Sequence, residues 1–279
     1  MIPPIANRFV AGTTMAGAID HVSMLNDRGV GGILNLLGEH YHDAESAVED
    51  ARVYRELIRA VDDSGVDASI SVKPSQIGID VGAETFSQNL ARIVDAAADR
   101  DVFVWVDMED HTTTDATLDA FERAATEHRG GVGLAIQANL KRTRDDLERL
   151  AELPGSVRLV KGAYDEPESV AYQQKERVDE AYRDHLEFMF EEFDDGVAVG
   201  SHDPAMIGHA KRLHDEYGTP FEVQMLMGVR DDAQFTLADE GCEVNQYVPY
   251  GDKWMLYFYR RIRERKENAL FALRAIAGV

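Results

Sequence analysis

Eight short apolar runs, each followed by a longer amphipathic segment, predict a parallel (β/α)8 barrel. The chain has 279 residues, and one such barrel takes about 250 residues. The rival doubly wound sheet would carry a glycine-rich turn after its first strand. Here Gly29, Gly31 and Gly32 come before and within that strand, so the fingerprint fails.

The runs expected as strands are 30–38, 67–73, 102–108, 132–138, 156–162, 196–202, 221–226 and 242–248. They are short, rich in Val and Ile, and bounded by turn residues, as buried parallel strands are. The segments between them read as helices over 43–62, 83–99, 114–128, 143–152, 168–193, 204–217, 230–239 and 253–276. Thr143 before Arg-Asp-Asp-Leu reads as an N-cap with acids in the first turn. Asp203-Pro204 places an N-cap before a proline at the first helical position. An earlier segment, 13–28, reads as an extra helix closing one end. No Pro/Gly/Ser linker divides the chain, so one domain over 1–279 is expected.

The charge is lopsided: 51 acidic against 29 basic residues, net −22. That field disfavours nucleic acid and anionic membrane surfaces as partners. The single cysteine, Cys242, allows neither an internal disulfide nor a thiolate metal site. No apolar run approaches the roughly 20 residues that span a bilayer, and the first residues lack a charged-then-apolar signal pattern. A soluble, cytoplasmic protein is expected.

A barrel of this kind keeps its active site at the carboxyl ends of the strands. The polar residues there are Lys73 on the second strand, Asp107, Met108 and Glu109 on the third, and Gln137 on the fourth. The fifth carries Arg158 and ends in Lys161-Gly162-Ala163-Tyr164; the sixth ends in Ser201-His202-Asp203. The seventh carries Glu222 and Gln224, the eighth Gln246 and Tyr247. Alternation puts Arg158, Val160 and Gly162 on one face of the fifth strand, and Leu159 and Lys161 on the other. Any one of these residues is as easily a satisfied ion pair. Together on one rim they are costly unless they pair or bind something. Three chemistries compete. Lys73 or Lys161 could form a Schiff base in a lyase. Asp107, Glu109, His111, His202 and Asp203 could hold a metal, though only His202 is a histidine at a strand end. The basic and amide groups could hold an anionic cofactor. A non-enzymatic acidic binding protein fits the charge but leaves the rim unexplained.

The motifs SVKPSQIGID (71–80), VDMED (106–110), IQANL (136–140), VRLVKGAYDEP (157–167), SHD (201–203), FEVQMLMGVR (221–230), YVPYG (247–251) and YRRIRERKENAL (259–270) follow one another along the chain. In these motifs the chain resembles the proline dehydrogenase family, specifically small monofunctional enzymes related to the dehydrogenase domain of bifunctional proline utilisation proteins. The resemblance implies a distorted barrel whose final helix lies over the mouth, with FAD bound non-covalently. It implies oxidation of L-proline to Δ1-pyrroline-5-carboxylate and transfer of electrons to a quinone. A pyrroline-5-carboxylate dehydrogenase as receiver of the product, and at most peripheral membrane contact, come with it.

Residue roles follow from the same resemblance. Arg260 and Arg261 match the pair gripping the proline carboxylate, with Lys73 sharing the task. Asp107 matches an acid beside the substrate, and Arg158 an arginine close to flavin N5. Met108, Gln137, Lys161, Gly162 and Ala163 match flavin-binding positions. Ser201 and His202 match a Thr-His pair near the FAD, and Glu264 a glutamate contacting it. Tyr164, Tyr247 and Leu226 match the lining of the proline ring. The chain departs from the family at Pro74-Ser75 where Leu-Thr is usual, at Asn139 where an aromatic is common, at Ser201 for threonine, and at Lys266 for proline.

The acidic excess and scarcity of lysine lead us to expect adaptation to high intracellular salt, which screens self-repulsion. The melting temperature should rise between low salt and molar KCl; equal melting in both would reject the idea.

Overall fold

The computed structural model describes residues 6–255, 257 and 258. The order is α1 (Met15–Asn26), β1 (Gly31–Leu36), α2 (Ala44–Ser64), β2 (Ala68–Val72), α3 (Ala83–Ala98), β3 (Val104–Val106), α4 (Thr114–His128) and β4 (Val132–Gln137). Then follow α5 (Thr143–Ala151), β5 (Ser156–Val160), α6 (Lys175–Glu192), β6 (Val197–Gly200), α7 (Pro204–Tyr217), β7 (Phe221–Leu226), α8 (Asp231–Asp239) and β8 (Glu243–Tyr250). The strands close in sequence order into one barrel, all neighbours parallel. Closure is made by β1 and β8, where Ile33 stands opposite Tyr247. The expected (β/α)8 barrel is the observed one.

Alternation along each strand sorts the side chains. Leu34, Ile70, Val72, Val104, Leu134 and Leu159 face the helices and join the main core. Ile33, Trp105 and Ala198 form a separate apolar plug inside the barrel, with Phe103 and Tyr247 against it. Trp105 lies over bare backbone, since a β-carbon on Gly133 would sit 2.4 Å from its ring. This plug divides the interior into an upper and a lower chamber, and the polar residues above it form the mouth at the strands' carboxyl ends.

Several expected elements shift. The helix expected from 168 starts at Lys175. The intervening chain turns at Pro167, whose carbonyl accepts from Val170 and Ala171, and pairs back through Leu140 and Ala171. That pairing overrides helical propensity locally. Thr143 is not the N-cap of α5; it lies inside the first turn, and its hydroxyl donates to the Gln137 carbonyl at 2.5 Å. Asp203 does cap α7, accepting from Ala205 N at 3.0 Å ahead of Pro204. Helix α1 covers the outer face of the β1–β8 seam rather than an end, with Val22 over Gly32 and His21 bonded to Gln246. The last expected helix begins around Trp254, and its remainder lies outside the described residues.

Candidate active site

Asp107, just past β3, is the centre of the mouth. Its Oδ1 accepts from Ser71 Oγ at 2.8 Å and from the Arg158 guanidinium; its Oδ2 accepts from Lys73 Nζ at 3.2 Å and Tyr247 OH at 2.8 Å. The donors come from β2 and its end, β5 and β8, so one carboxylate ties the barrel across its width. Burial pushes the Asp107 carboxyl up, but the charges of Lys73 and Arg158 and the bonds from Tyr247 and Ser71 outweigh it and hold the group at about 2. Burial and the neighbouring Asp107 charge push the Tyr247 hydroxyl well above its ordinary range.

Arg158 is 5% exposed, too deep to be held by one partner. Its other arm donates to Gln224 Oε1 at 2.9 Å, and its guanidinium carbon lies 5.1 Å from the Trp105 ring centre and 5.8 Å from that of Tyr247. The two bonds and two rings fix the plane of the cation.

A cavity of about 460 Å³ opens above this cluster. Its polar wall includes Lys73, Asp107, Arg158 and His202; its apolar wall includes Met108, Leu226 and Tyr247. Lys161, Gly162, Ala163 and Tyr164 form a continuous stretch of lining. Gly162 has φ +107°, and a β-carbon there would meet Asn139 Oδ1 at 2.1 Å. The left-handed backbone and the close approach of Asn139 leave room only for glycine, and Gly162 itself lines the cavity.

Two expected site residues are placed elsewhere. Gln137 is buried off the cavity, donating through Nε2 to the Glu109 carbonyl at 2.7 Å. Ser201 is also buried, its hydroxyl accepting from Asp203 N at 3.2 Å. Lys161 reaches the cavity but already pairs with Asp179 and, at 2.9 Å, with Asp203. His202 Nε2 accepts from Leu226 N at 2.9 Å, which turns the ring toward β7. Two of the polar strand residues leave the rim altogether: Gln246 faces outward to Gln234 and His21, and Glu222 opens on the opposite end of the barrel. Arg260, Arg261 and Glu264 lie outside the described residues.

The potential metal ligands are dispersed into pairs. Glu109 accepts from Ser75 N at 2.6 Å and Ser75 Oγ at 2.8 Å, and His111 pairs with Glu166. Among the described residues no three His, Cys, Asp or Glu side chains gather as ligands. Sequence reasoning missed Ser71, Asn35 and Lys253. Ser71 is two residues before Lys73 on the same inward face, so alternation alone could have found it. Asn35 lines the cavity and donates to the Ser71 carbonyl at 2.9 Å. Lys253 reaches the rim from the end of the described chain, its ammonium 4.0 Å from the Tyr41 ring centre.

These features, a parallel eight-stranded barrel with a buried ion-pair cluster beneath an open mouth, define an enzyme of the barrel class. A sequence model of the proline dehydrogenase family matches residues 18–274. The chain is 38% identical over 279 aligned residues to a proline dehydrogenase of Deinococcus radiodurans, covering 98% of this chain and 90% of that one. It is 36% identical over 274 residues to proline dehydrogenase 1 of Bacillus subtilis subsp. natto, covering 97% and 90%. Among solved structures, proline utilization A from Bdellovibrio bacteriovorus, inactivated by N-propargylglycine, superposes with a TM-score of 0.85 at 22% identity over 92% of this chain. The protein from Corynebacterium freiburgense superposes at 0.79, also 22% identical, over 96%. This chain spans only 32% of the length of each of those two. The chain belongs to the proline dehydrogenase family, and is thereby an oxidoreductase.

A carboxyl lowered from 3.8 to about 2 stabilises the fold above about pH 4 and loses that contribution as pH falls through 2. The size is about 2 kcal/mol. Asp107→Asn leaves Lys73 and Arg158 without their shared anion, so it should cost about 3–5 kcal/mol at pH 7. Urea unfolding at pH 7 and pH 3 should also show a flatter pH dependence than the unsubstituted protein. A variant as stable as the parent at pH 7 would contradict the assignment.

Proposed function

We propose that the chain binds FAD non-covalently and oxidises L-proline to Δ1-pyrroline-5-carboxylate, with a quinone as electron acceptor. The observation that carries this reading is the mouth itself: a rigid, desolvated cation, Arg158, beside bare backbone at Gly162, in a chain of this family. The residues present fit a flavin. Gly162 and Ala163 let a flat ring approach the backbone, Met108 supplies apolar contact, and the fixed positive charge of Arg158 favours an electron-rich ring. When bound, FAD supplies the two-electron acceptor.

The chain's own residues select and orient the substrate. Proline is a compact zwitterion whose carboxylate is its handle, and a wall of Leu226, Tyr164 and Tyr247 suits its ring. Three of the four Lys and Arg side chains described in the cavity wall are already committed, Lys73 and Arg158 to Asp107 and Lys161 to Asp179 and Asp203, and the fourth, Lys253, lies against the Tyr41 ring. A firm grip on a substrate carboxylate therefore calls for more positive charge, and Arg260 and Arg261 are assigned that task by resemblance, with Glu264 on the FAD. Oxidation takes a hydride equivalent from the carbon next to nitrogen and leaves a C=N bond, so the amine must also lose its proton. Asp107, held near 2, is a poor acceptor for that proton. Its role is to hold Lys73, Arg158 and Tyr247 in place. A Schiff base would need an uncommitted lysine amine, whereas Lys73 is paired with Asp107 and Lys161 with Asp179 and Asp203. No helix among the described residues is long and apolar enough to cross a membrane. Contact with quinone is read as peripheral, and a pyrroline-5-carboxylate dehydrogenase as the receiver of the product.

Purified protein loaded with FAD should be yellow and should bleach anaerobically on addition of L-proline, with quinone analogues restoring the colour. Protein that takes up no FAD would defeat the reading. Arg260→Met should retain FAD but bind proline more weakly by about 2–5 kcal/mol, read as a raised KM. Unchanged affinity for proline would remove Arg260 from the site.

A further inference from the structure

Below the Trp105 plug the barrel holds a second cavity, of about 440 Å³, open at the amino ends of the strands. Glu222 stands in its wall, and from there a single hydrogen-bonded chain runs up the barrel axis. Gln224 Nε2 donates to Glu222 Oε1 at 2.6 Å, and Asn245 donates to the other carboxylate oxygen. With its NH2 thus committed downward, the Gln224 amide offers its oxygen upward, where Arg158 donates to it at 2.9 Å. Arg158 in turn reaches Asp107.

From this geometry we propose that Glu222 is a positioning residue for Arg158, acting through Gln224, and that its protonation from the lower mouth loosens the arginine at the upper one. The inference rests on the reading of the upper site as the place of proline oxidation. Two acceptor oxygens, each taken by an amide donor, suit the ionised form; protonation removes one acceptor and lets the Gln224 amide turn over. The charges facing Glu222 are Glu243, its register neighbour on β8, Arg158 on β5, and Asp67 and Asp101 lining the same cavity ahead of β2 and β3. Burial first, and then the Glu243 charge, push the Glu222 carboxyl up to about 7, against the bonds from Gln224 and Asn245 and the charge of Arg158. Its proton exchanges with solvent on the side of the barrel away from substrate.

Two measurements test this. In cofactor-free protein on a Trp254→Phe background, Trp105 is the sole tryptophan, and it touches both the lower cavity and Arg158. Its fluorescence should titrate near pH 7, and Glu222→Gln should abolish the step. In FAD-loaded protein, kcat with saturating proline should carry an inflection near pH 7. Glu222→Gln should remove it and lower kcat severalfold at pH 8.5, with KM for proline within twofold of the parent. Gln224→Leu, which leaves the carboxylate but cuts the link, should lose the same inflection and serves where Glu222→Gln fails to fold. Glu222→Gln with an unaltered kcat profile, or Gln224→Leu that keeps the inflection, overturns the inference. A fluorescence step in protein whose flavin proline never reduces supports the coupling and overturns the functional reading instead.

Discussion

Everything at the mouth depends on burying one carboxylate among cations without leaving any of them unpaired. Asp107 is 8% exposed and accepts from four side chains. Taking such charges from water costs several kcal/mol per ion. The cost is offset only because every donor is already aimed: Ser71 by strand alternation, Arg158 by Gln224 and two aromatic rings, Tyr247 by its place opposite Ile33. Loosen one partner and the remaining charges face low dielectric alone. The barrel's rigidity is therefore a requirement of the site as well as its scaffold.

The apolar plug is the second constraint. Trp105 lies across the interior because Gly133 gives it room, and it separates the ion-pair cluster from the lower chamber. Polar contact between the chambers is carried past it by Gln224, an amide that can accept on one side and donate on the other. An ammonium in its place could donate to the carboxylate but has no lone pair to accept from the guanidinium.

Much of this could be read along the chain. Eight strand–helix repeats pointed to the fold class, and period-two alternation put Arg158 and Leu159 on opposite faces of the fifth strand before any coordinates. What stayed hidden depends on pairing between distant segments. The late start of α6 comes from the loop after β5 pairing with Leu140, which no local propensity records. Gln246 and Tyr247 are adjacent in sequence, yet only one can face inward; the register of β8 against β1 decides which. Glu222 and Gln224 share a face, but the height of each on that face sends one to the lower chamber and the other to the site. Height along the barrel axis is set by strand stagger, and a single sequence does not display it.

The departures from the family pattern make physical sense in the same terms. Ser75, where threonine is usual, still gives Glu109 both a hydroxyl and a backbone donor, and Pro74 before it has no N–H to leave unpaired. Ser201 likewise keeps the oxygen that accepts from Asp203 N. Asn139, in a place where an aromatic is common, uses its backbone to join the loops after β4 and β5: its N–H donates to Lys161 O at 3.0 Å and its carbonyl accepts from Tyr172 N at 2.8 Å. Its side chain packs against Gly162, with Oδ1 buried and unbonded. The two serines thus preserve a hydrogen bond. At Asn139 the backbone does the joining, and the exchanged side chain fills space beneath the glycine, at the cost of one unpaired oxygen. A buried acceptor of that kind costs on the order of 1–3 kcal/mol.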